Sequence, residues 1–289
     1  MRNEEYVFLR KTLIKHIIIG TLLLTPLLLC ANERIVTLSP AINEIVYALG
    51  AGDQVVGNTT YALYPETSKS VPKVGGYFSP SLEKILALHP TLVIMQPNNR
   101  KLATQLERLH IDTEVVAIDR LSHITHAIKK LGERLHRPKE AKKIVTDIQK
   151  ALEALKGIVH NKKILIVFGH NTKIEGNIFV AGQNLYFDDI INASGNTNAL
   201  HSSRKGQPVL NRENIIALNP DIVILLAHDM KARGLTQKEL IAPWLKLPIN
   251  AAKQQNIYII DKAYSGIPSD RLVRFLNDFK AILHAVNAQ

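Results

Sequence analysis

At 289 residues the chain is long for one ordinary domain, and with 46% hydrophobic against 21% charged residues it is too apolar to be disordered. A single cysteine, Cys30, excludes a disulfide framework. The formal net charge of +11 is spread along helices without an aromatic-interleaved basic cluster, so no nucleic-acid partner is expected.

Residues 1–31 read as a signal peptide. Arg10, Lys11 and Lys15 precede an apolar run from Ile17 to Ala31, which Pro26 interrupts and which is shorter than the roughly 20 residues of a membrane span. The triplet Leu27-Leu28-Leu29 before Cys30 is a poor lipoprotein signal, so a free periplasmic protein is expected, with a lipid or uncleaved N-terminal anchor as the weaker alternative.

The predicted elements then alternate. A strand over 33–40 ends in Ser39-Pro40, a helix over 41–50 closes at Gly50, and a short strand covers 54–58. The polar, aromatic stretch 59–80 is a long loop carrying Tyr61, Tyr64, Tyr77 and Phe78 with Gly75-Gly76, and loops of that length inside a domain are commonly functional. A helix-proline-strand unit follows at 79–95, then a helix over 101–109, a strand over 114–118 and a helix over 124–135. Beyond a central segment come strands at 163–170 and 177–182, a helix at 185–193, a second helix-proline-strand unit at 209–225, a helix at 236–245, a strand at 256–261 and a terminal helix over 270–285.

The central segment, 138–160, organises the rest. Ala141, Ile144, Val145, Ile148, Leu152, Leu155 and Val159 form a helical stripe, Pro138 suits the first turn, and Gly157 with Asn161 marks the stop. Such a helix spans roughly 30 Å. The units on either side match at constant offset: Glu83, Ile85, Ala87, Leu88, Pro90, Val93 and Ile94 recur as Glu213, Ile215, Ala217, Leu218, Pro220, Val223 and Ile224. The pattern predicts an α/β protein of two similar lobes with mainly parallel sheets, 32–137 and 161–289, joined by one long rigid helix that holds them apart.

Ligands of parallel α/β sheets sit outside the carboxyl ends of the strands, so a cleft between the two lobes is the predicted site. The candidates following the strands are Ser39-Pro40, 58–61, 96–98, 169–171, 227–229 and 262–264. Tyr61, Tyr77, His170, Arg204 and Tyr264 are the predicted ligand-binding residues, supplying rings to stack, a strand-end imidazole and a cation for an anionic group. Nothing matches G-x-S-x-G, G-x-x-x-x-G-K-[ST], H-E-x-x-H, C-x-x-C or G-x-G-x-x-G, so no catalytic residue, resident metal or cofactor is expected. A metal-dependent enzyme using His170, His228 and Asp229 is the rival reading. His123 and His126 read as a solvated helix face, and His89, His110 and His136 as helix-end residues. Glu83 and Glu213 fall in first helical turns behind the predicted caps Ser81 and Asn211, where a negative charge is stabilised by about 0.3–1 kcal/mol. Their equivalent placement also suits docking to two basic pockets of a two-fold partner.

The segments RIVTLSPAINEIVYALGAGDQVVG, YALYP, VPKVGGYFSPSLEKILALHPTLVI and the second unit ENIIALNPDIVI, flanking a central helix, resemble the helical-backbone class of substrate-binding proteins that serve ABC importers for ferric siderophores, haem and vitamin B12. The resemblance covers 33 to nearly the end. It implies two α/β lobes on a rigid helix, a shallow cleft with little closure, docking of Glu83 and Glu213 onto arginines of a permease dimer, and contact of Tyr61 and Tyr77 with a corrin ring in cobalamin-binding members. Gln207 stands where those members carry a ring-packing tryptophan. Arg204, His170 and Tyr264 would serve a ferric siderophore; haem would take Tyr61 or His170 as axial ligand. The expectation is a monomeric periplasmic receptor for an iron chelate, siderophore or haem, with cobalamin as the alternative.

Overall fold

The computed structural model describes residues 33–169, 171–202 and 207–288. The expected signal peptide, His170 and Arg204 lie outside them.

In the first lobe, β1 (Ile35–Thr37) runs into Ser39, whose hydroxyl caps α1 (Pro40–Ala48) by accepting from Ile42 N at 3.3 Å. After β2 (Val55–Asn58) and the long loop come α2 (Leu82–Leu86), β3 (Leu92–Met95), α3 (Arg100–Arg108), β4 (Asp112–Val115) and α4 (Leu121–Arg134). The sheet order is β2-β1-β3-β4, parallel throughout. β4 lies two to three residues earlier than the predicted 114–118, because its pairing with β3 begins at Asp112.

The second lobe holds β5 (Lys163–Phe168), β6 (Ile178–Val180), α6 (Tyr186–Ala193), β7 (Thr197–Asn198), β8 (Val209–Leu210), α7 (Arg212–Leu218), β9 (Ile222–Leu226), α8 (Gln237–Leu245), α9 (Asn250–Lys253), β10 (Ile257–Ile260) and α10 (Leu272–Asn287). Here β7, β5, β9 and β10 pair in parallel in the same order as β2, β1, β3 and β4, which is the topology expected of a duplicated plan. The second sheet is mixed, however: β6 runs antiparallel beside β5 and pairs antiparallel with β8.

Between the lobes lies α5 (Pro138–Glu153), which is shorter than predicted. Its 16 residues make about 24 Å of helix. The apolar period carries on past the helix because Leu155 and Val159 still face the core, while the chain turns through Gly157 (φ 77°) and Asn161 (φ 59°). Nor is α5 a free-standing rod. It packs along α4, α10 and α6, and at Gly132 the approach to α4 is so close that a Cβ would lie 2.4 Å from that of Ala141. One hydrophobic cluster runs from Ile35 and Ile45 through Ile128, Val145 and Ile148 into Ile190, Ile224 and Phe279, so the two lobes share a core.

Two charged contacts also cross from lobe to lobe. Arg120, the residue before α4, bonds Asp189 on α6 and the carbonyl of Gln183, while Leu121 N donates to the second Asp189 oxygen at 2.8 Å. Arg271, the residue before α10, bonds both carboxylate oxygens of Glu44 on α1, and Ser269 Oγ donates to the same group. Asp119-Arg120-Leu121 and Asp270-Arg271-Leu272 are therefore the same triplet in the same place in each lobe.

His89, His110 and His136 follow α2, α3 and α4 in the left-handed region (φ 46°, 58° and 57°), the backbone turn that ends a helix.

Candidate functional site

The long loop 59–80 is tied down by a buried polar knot. Ser68 Oγ accepts from the amides of Asn43 and Asn58, each at 2.9 Å, and donates to Ala62 O. Thr37 Oγ1 donates to Asn43 Oδ1, and Lys73 Nζ donates to Asn58 Oδ1 at 2.7 Å and to the carbonyls of Ala62 and Ser68. Burial pushes the Lys73 ammonium below its ordinary range. The loop then turns back at Gly75 (φ 118°), where a Cβ would stand 2.7 Å from Ser79 O, so only glycine fits. This arrangement presents Tyr61, 72% exposed, and Tyr77 from a fixed base.

Both tyrosines line a cavity of about 460 Å³ between the lobes. From the first lobe come Ser39, Ala41, Tyr61, Tyr77, Gln96 and Asp119; from the second, Phe168, Leu185, Tyr186, Phe187, Gln207 and Ile267. Ser39, Gln96, Asp119 and Phe168 stand at or just past the carboxyl ends of β1, β3, β4 and β5, as parallel-sheet topology requires. Tyr77 OH donates to Gln96 Oε1 at 3.1 Å and Gln96 Nε2 donates to Ser39 Oγ at 3.0 Å, a relay that fixes the tyrosine's tilt. Phe78 meets the Tyr77 ring edge-on at 4.5 Å. Behind the second wall, Phe187 stacks on Tyr186 and meets Phe168 and Phe275 edge-on, so that wall rests on a rigid aromatic chain.

The electrostatics are sparse. Among the described lining residues Asp119 is the one charged group. Burial works to raise its pKa, but the hydrogen bond with His123 Nδ1 at 2.8 Å and that ring's charge prevail and hold the carboxyl below its ordinary range. Burial, then the Asp119 charge, raises the Tyr77 phenol. Burial also raises Tyr186, whose hydroxyl has no hydrogen-bond partner among the described residues. The lining is thus a surface for a flat, largely apolar guest with a few neutral polar edges.

Tyr264, expected in the site, is not part of the lining. Its hydroxyl donates to Asp278 Oδ2 at 2.8 Å, and burial followed by that bond pushes its pKa up to about 12. The cleft wall runs instead through Gly266, Ile267 and Pro268, two to four residues further along. His228 and Asp229, the residues of the enzyme reading, stand exposed after β9, outside the cleft. No group of three or more His, Cys, Asp and Glu placed to hold a metal occurs among the described residues. Asp119, Phe168, Tyr186 and Phe187 were not among the expected site residues; a usable signal was present, since Phe168 ends β5, Tyr186 and Phe187 open α6, and Asp119 stands in the connection from β4 to α4. A second cavity, about 560 Å³, is confined to the second lobe beside Arg212 and Glu239 and touches none of these elements.

On the outer faces, Ser81 and Asn211 are the caps of α2 and α7, and Glu83 and Glu213 stand exposed in the first turns. Asn211 and Asn214 form a reciprocal capping box.

Residues 35–264 match the periplasmic binding protein family. The chain belongs to that family. It is 26% identical over 248 residues to the vitamin B12-binding protein of Vibrio campbellii, covering 85% of this chain and 87% of that one. To the vitamin B12-binding protein of Salmonella typhi it is 29% identical over 213 residues, covering 72% and 77%. The apo periplasmic haem-binding protein of Roseiflexus sp. RS-1 superposes with a TM-score of 0.72 at 26% identity, covering 89% of this chain and all of that one. The vitamin B12-binding protein of Vibrio cholerae shares the fold, with a TM-score of 0.73 at 21% identity over 89% of this chain and 98% of its own. Among the described residues of this family member, no helix is long and apolar enough to cross a membrane.

Proposed function

We propose that this family member is the periplasmic receptor of an ABC importer and that its cargo is a metal tetrapyrrole, haem or a corrinoid. The observation that carries the reading is the interlobe cleft itself: Tyr61 and Tyr77 from one lobe and Phe168 from the other, backed by the buried Phe187, line a cavity of about 460 Å³, within the range of small-molecule sites. Similar proteins whose names specify haem or vitamin B12 support the class of cargo. A highly anionic ferric catecholate suits the site less well, because the described lining offers a carboxylate and amides and no Lys or Arg.

Binding would rest on ring stacking, with Gln96, Gln207 and Asp119 meeting polar edges of the macrocycle. Glu83 and Glu213, exposed on equivalent helices, would meet basic groups on the two halves of a permease dimer. The receptor acts as a monomer and performs no chemistry on its cargo.

Titration with haem, cobalamin and a ferric catecholate, followed by the absorption bands of each, tests the cargo. Saturable binding of a tetrapyrrole is expected; saturation by the catecholate alone, or by none, overturns the reading. Trp244 is a poor reporter, being buried in the second lobe away from the cleft. The double variant Glu83→Ala with Glu213→Ala should lose uptake in cells while cargo affinity is unchanged, and a lost affinity would contradict the docking role.

A further inference from the structure

We infer that Arg120 and Arg271 are positioning residues that set the width of the cleft floor, working as two reciprocal clasps between the lobes. Each arginine precedes the last helix of its own lobe and reaches an acid in the first helix of the other: Arg120 to Asp189 on α6, Arg271 to Glu44 on α1. The acids are gripped by more than charge. Asp189 also receives the backbone N–H of Leu121 at 2.8 Å, and Glu44 also receives the hydroxyl of Ser269.

The clasps lie where the cleft needs them. The floor is made of segments that are direct chain neighbours of the clasp residues. Ile118 and Asp119 run into Arg120, and Leu185–Phe187 run into Asp188 and Asp189. Ser39–Ala41 open the helix that carries Glu44, and Gly266–Pro268 run into Ser269 and Arg271. These four floor segments, two from each lobe, are therefore each pinned within a few residues. The shared core along α5 joins the lobes on one side; two charge-assisted contacts at separate points beside the cleft add resistance to hinging and twist.

The guanidinium of Arg271 is held further by the face of Tyr64, 3.9 Å from the ring centroid, which ties this clasp to the loop that presents Tyr61. Opening the floor would separate Tyr61 and Tyr77 from Phe168 and Phe187, so cargo retention and discrimination between thin and bulky macrocycles depend on the clasps.

The part concerning cargo rests on the proposed function; the part concerning width does not, and the experiment separates them. Spin labels at Lys101→Cys and Lys238→Cys, exposed positions on α3 and α8, with Cys30→Ser in the background, report the interlobe distance without any ligand. Two shape-conserving double variants remove the clasps: Arg120→Met with Asp189→Leu, and Arg271→Met with Glu44→Leu. Each should melt cooperatively yet show a broader, longer distance distribution, and release haem or cobalamin about tenfold faster or more. Should the buried pair fail to fold, Arg120→Lys and Asp189→Asn at the half-exposed clasp carry the test. A folded variant with the wild-type distance distribution overturns the inference. Wild-type protein that binds neither macrocycle removes the cargo reading alone, because the distance measurement still decides the width.

Discussion

The two clasps begin from the same three side chains and end in different chemistry. Asp119-Arg120-Leu121 opens onto the ligand cleft: Asp119 keeps its side chain 57% exposed, pairs with His123, and its carboxyl is held below the ordinary range. Asp270-Arg271-Leu272 is closed in. Arg271 and Glu44 are almost wholly buried, one oxygen of Asp270 has no hydrogen-bond partner among the described residues, and burial, followed by the charge of Glu44, pushes Asp270 up to about 6. Repetition of a triplet thus copies the geometry of a contact between lobes, while the packing around each copy decides which acid remains charged and which resists it.

The contrast predicts very unequal costs for the same substitution. Arg271→Ala leaves the Glu44 carboxylate buried without its partner and should cost about 3–5 kcal/mol in urea unfolding. Arg120→Ala, at a clasp open to water on one side, should cost about 1–2 kcal/mol. Equal losses would show that the two clasps are energetically alike and would break the comparison.

The acids beside the arginines sharpen it through pH. Because the folded-state pKa of Asp270 lies above its ordinary value of 3.8, the folded protein binds the extra proton between about pH 4 and 6, and stability falls as pH rises through that window. Asp270→Asn should abolish that fall and leave the variant more stable than wild type at pH 7, by up to about 3 kcal/mol. Asp119 has the opposite sign: its depressed pKa contributes stability that is lost as pH falls, so Asp119→Asn should remove a small gain at neutral pH. Melting temperatures from about pH 2 to 8 distinguish the two slopes, Asp119 acting below about pH 4 and Asp270 between about pH 4 and 6, and parallel profiles for the two variants would contradict the assignment.

A third effect concerns the loop of the first lobe. Ser68→Ala strips the knot beneath the 59–80 loop of a hydroxyl that serves Asn43, Asn58 and Ala62, and should cost about 1–3 kcal/mol. Proteolysis should then cut between 59 and 80 sooner than in wild type; unchanged cleavage would mean that the loop is held by its other contacts.

Much of the architecture was legible in the chain because it depends on local pattern. The β-branched runs of β3 and β9, the helix-proline-strand repeat and the caps Ser81 and Asn211 announce themselves through periodicity and turn chemistry that neighbours do not alter. From these follow two α/β sheets with parallel cores and a site at their carboxyl ends, with Tyr61 and Tyr77 in the loop that reaches it, though not the antiparallel β6 and β8 of the second sheet. Tertiary structure alone decided the rest. It ended the central helix at Glu153, because an apolar stripe continues wherever a turn still faces the core. It turned Tyr264 toward Asp278 and brought Phe168, Phe187 and Asp119 into the cleft in its place, since the direction of a strand-end side chain depends on how the other lobe packs. It also paired Arg120 with Asp189 and Arg271 with Glu44, contacts between residues 69 and 227 positions apart that no local period encodes.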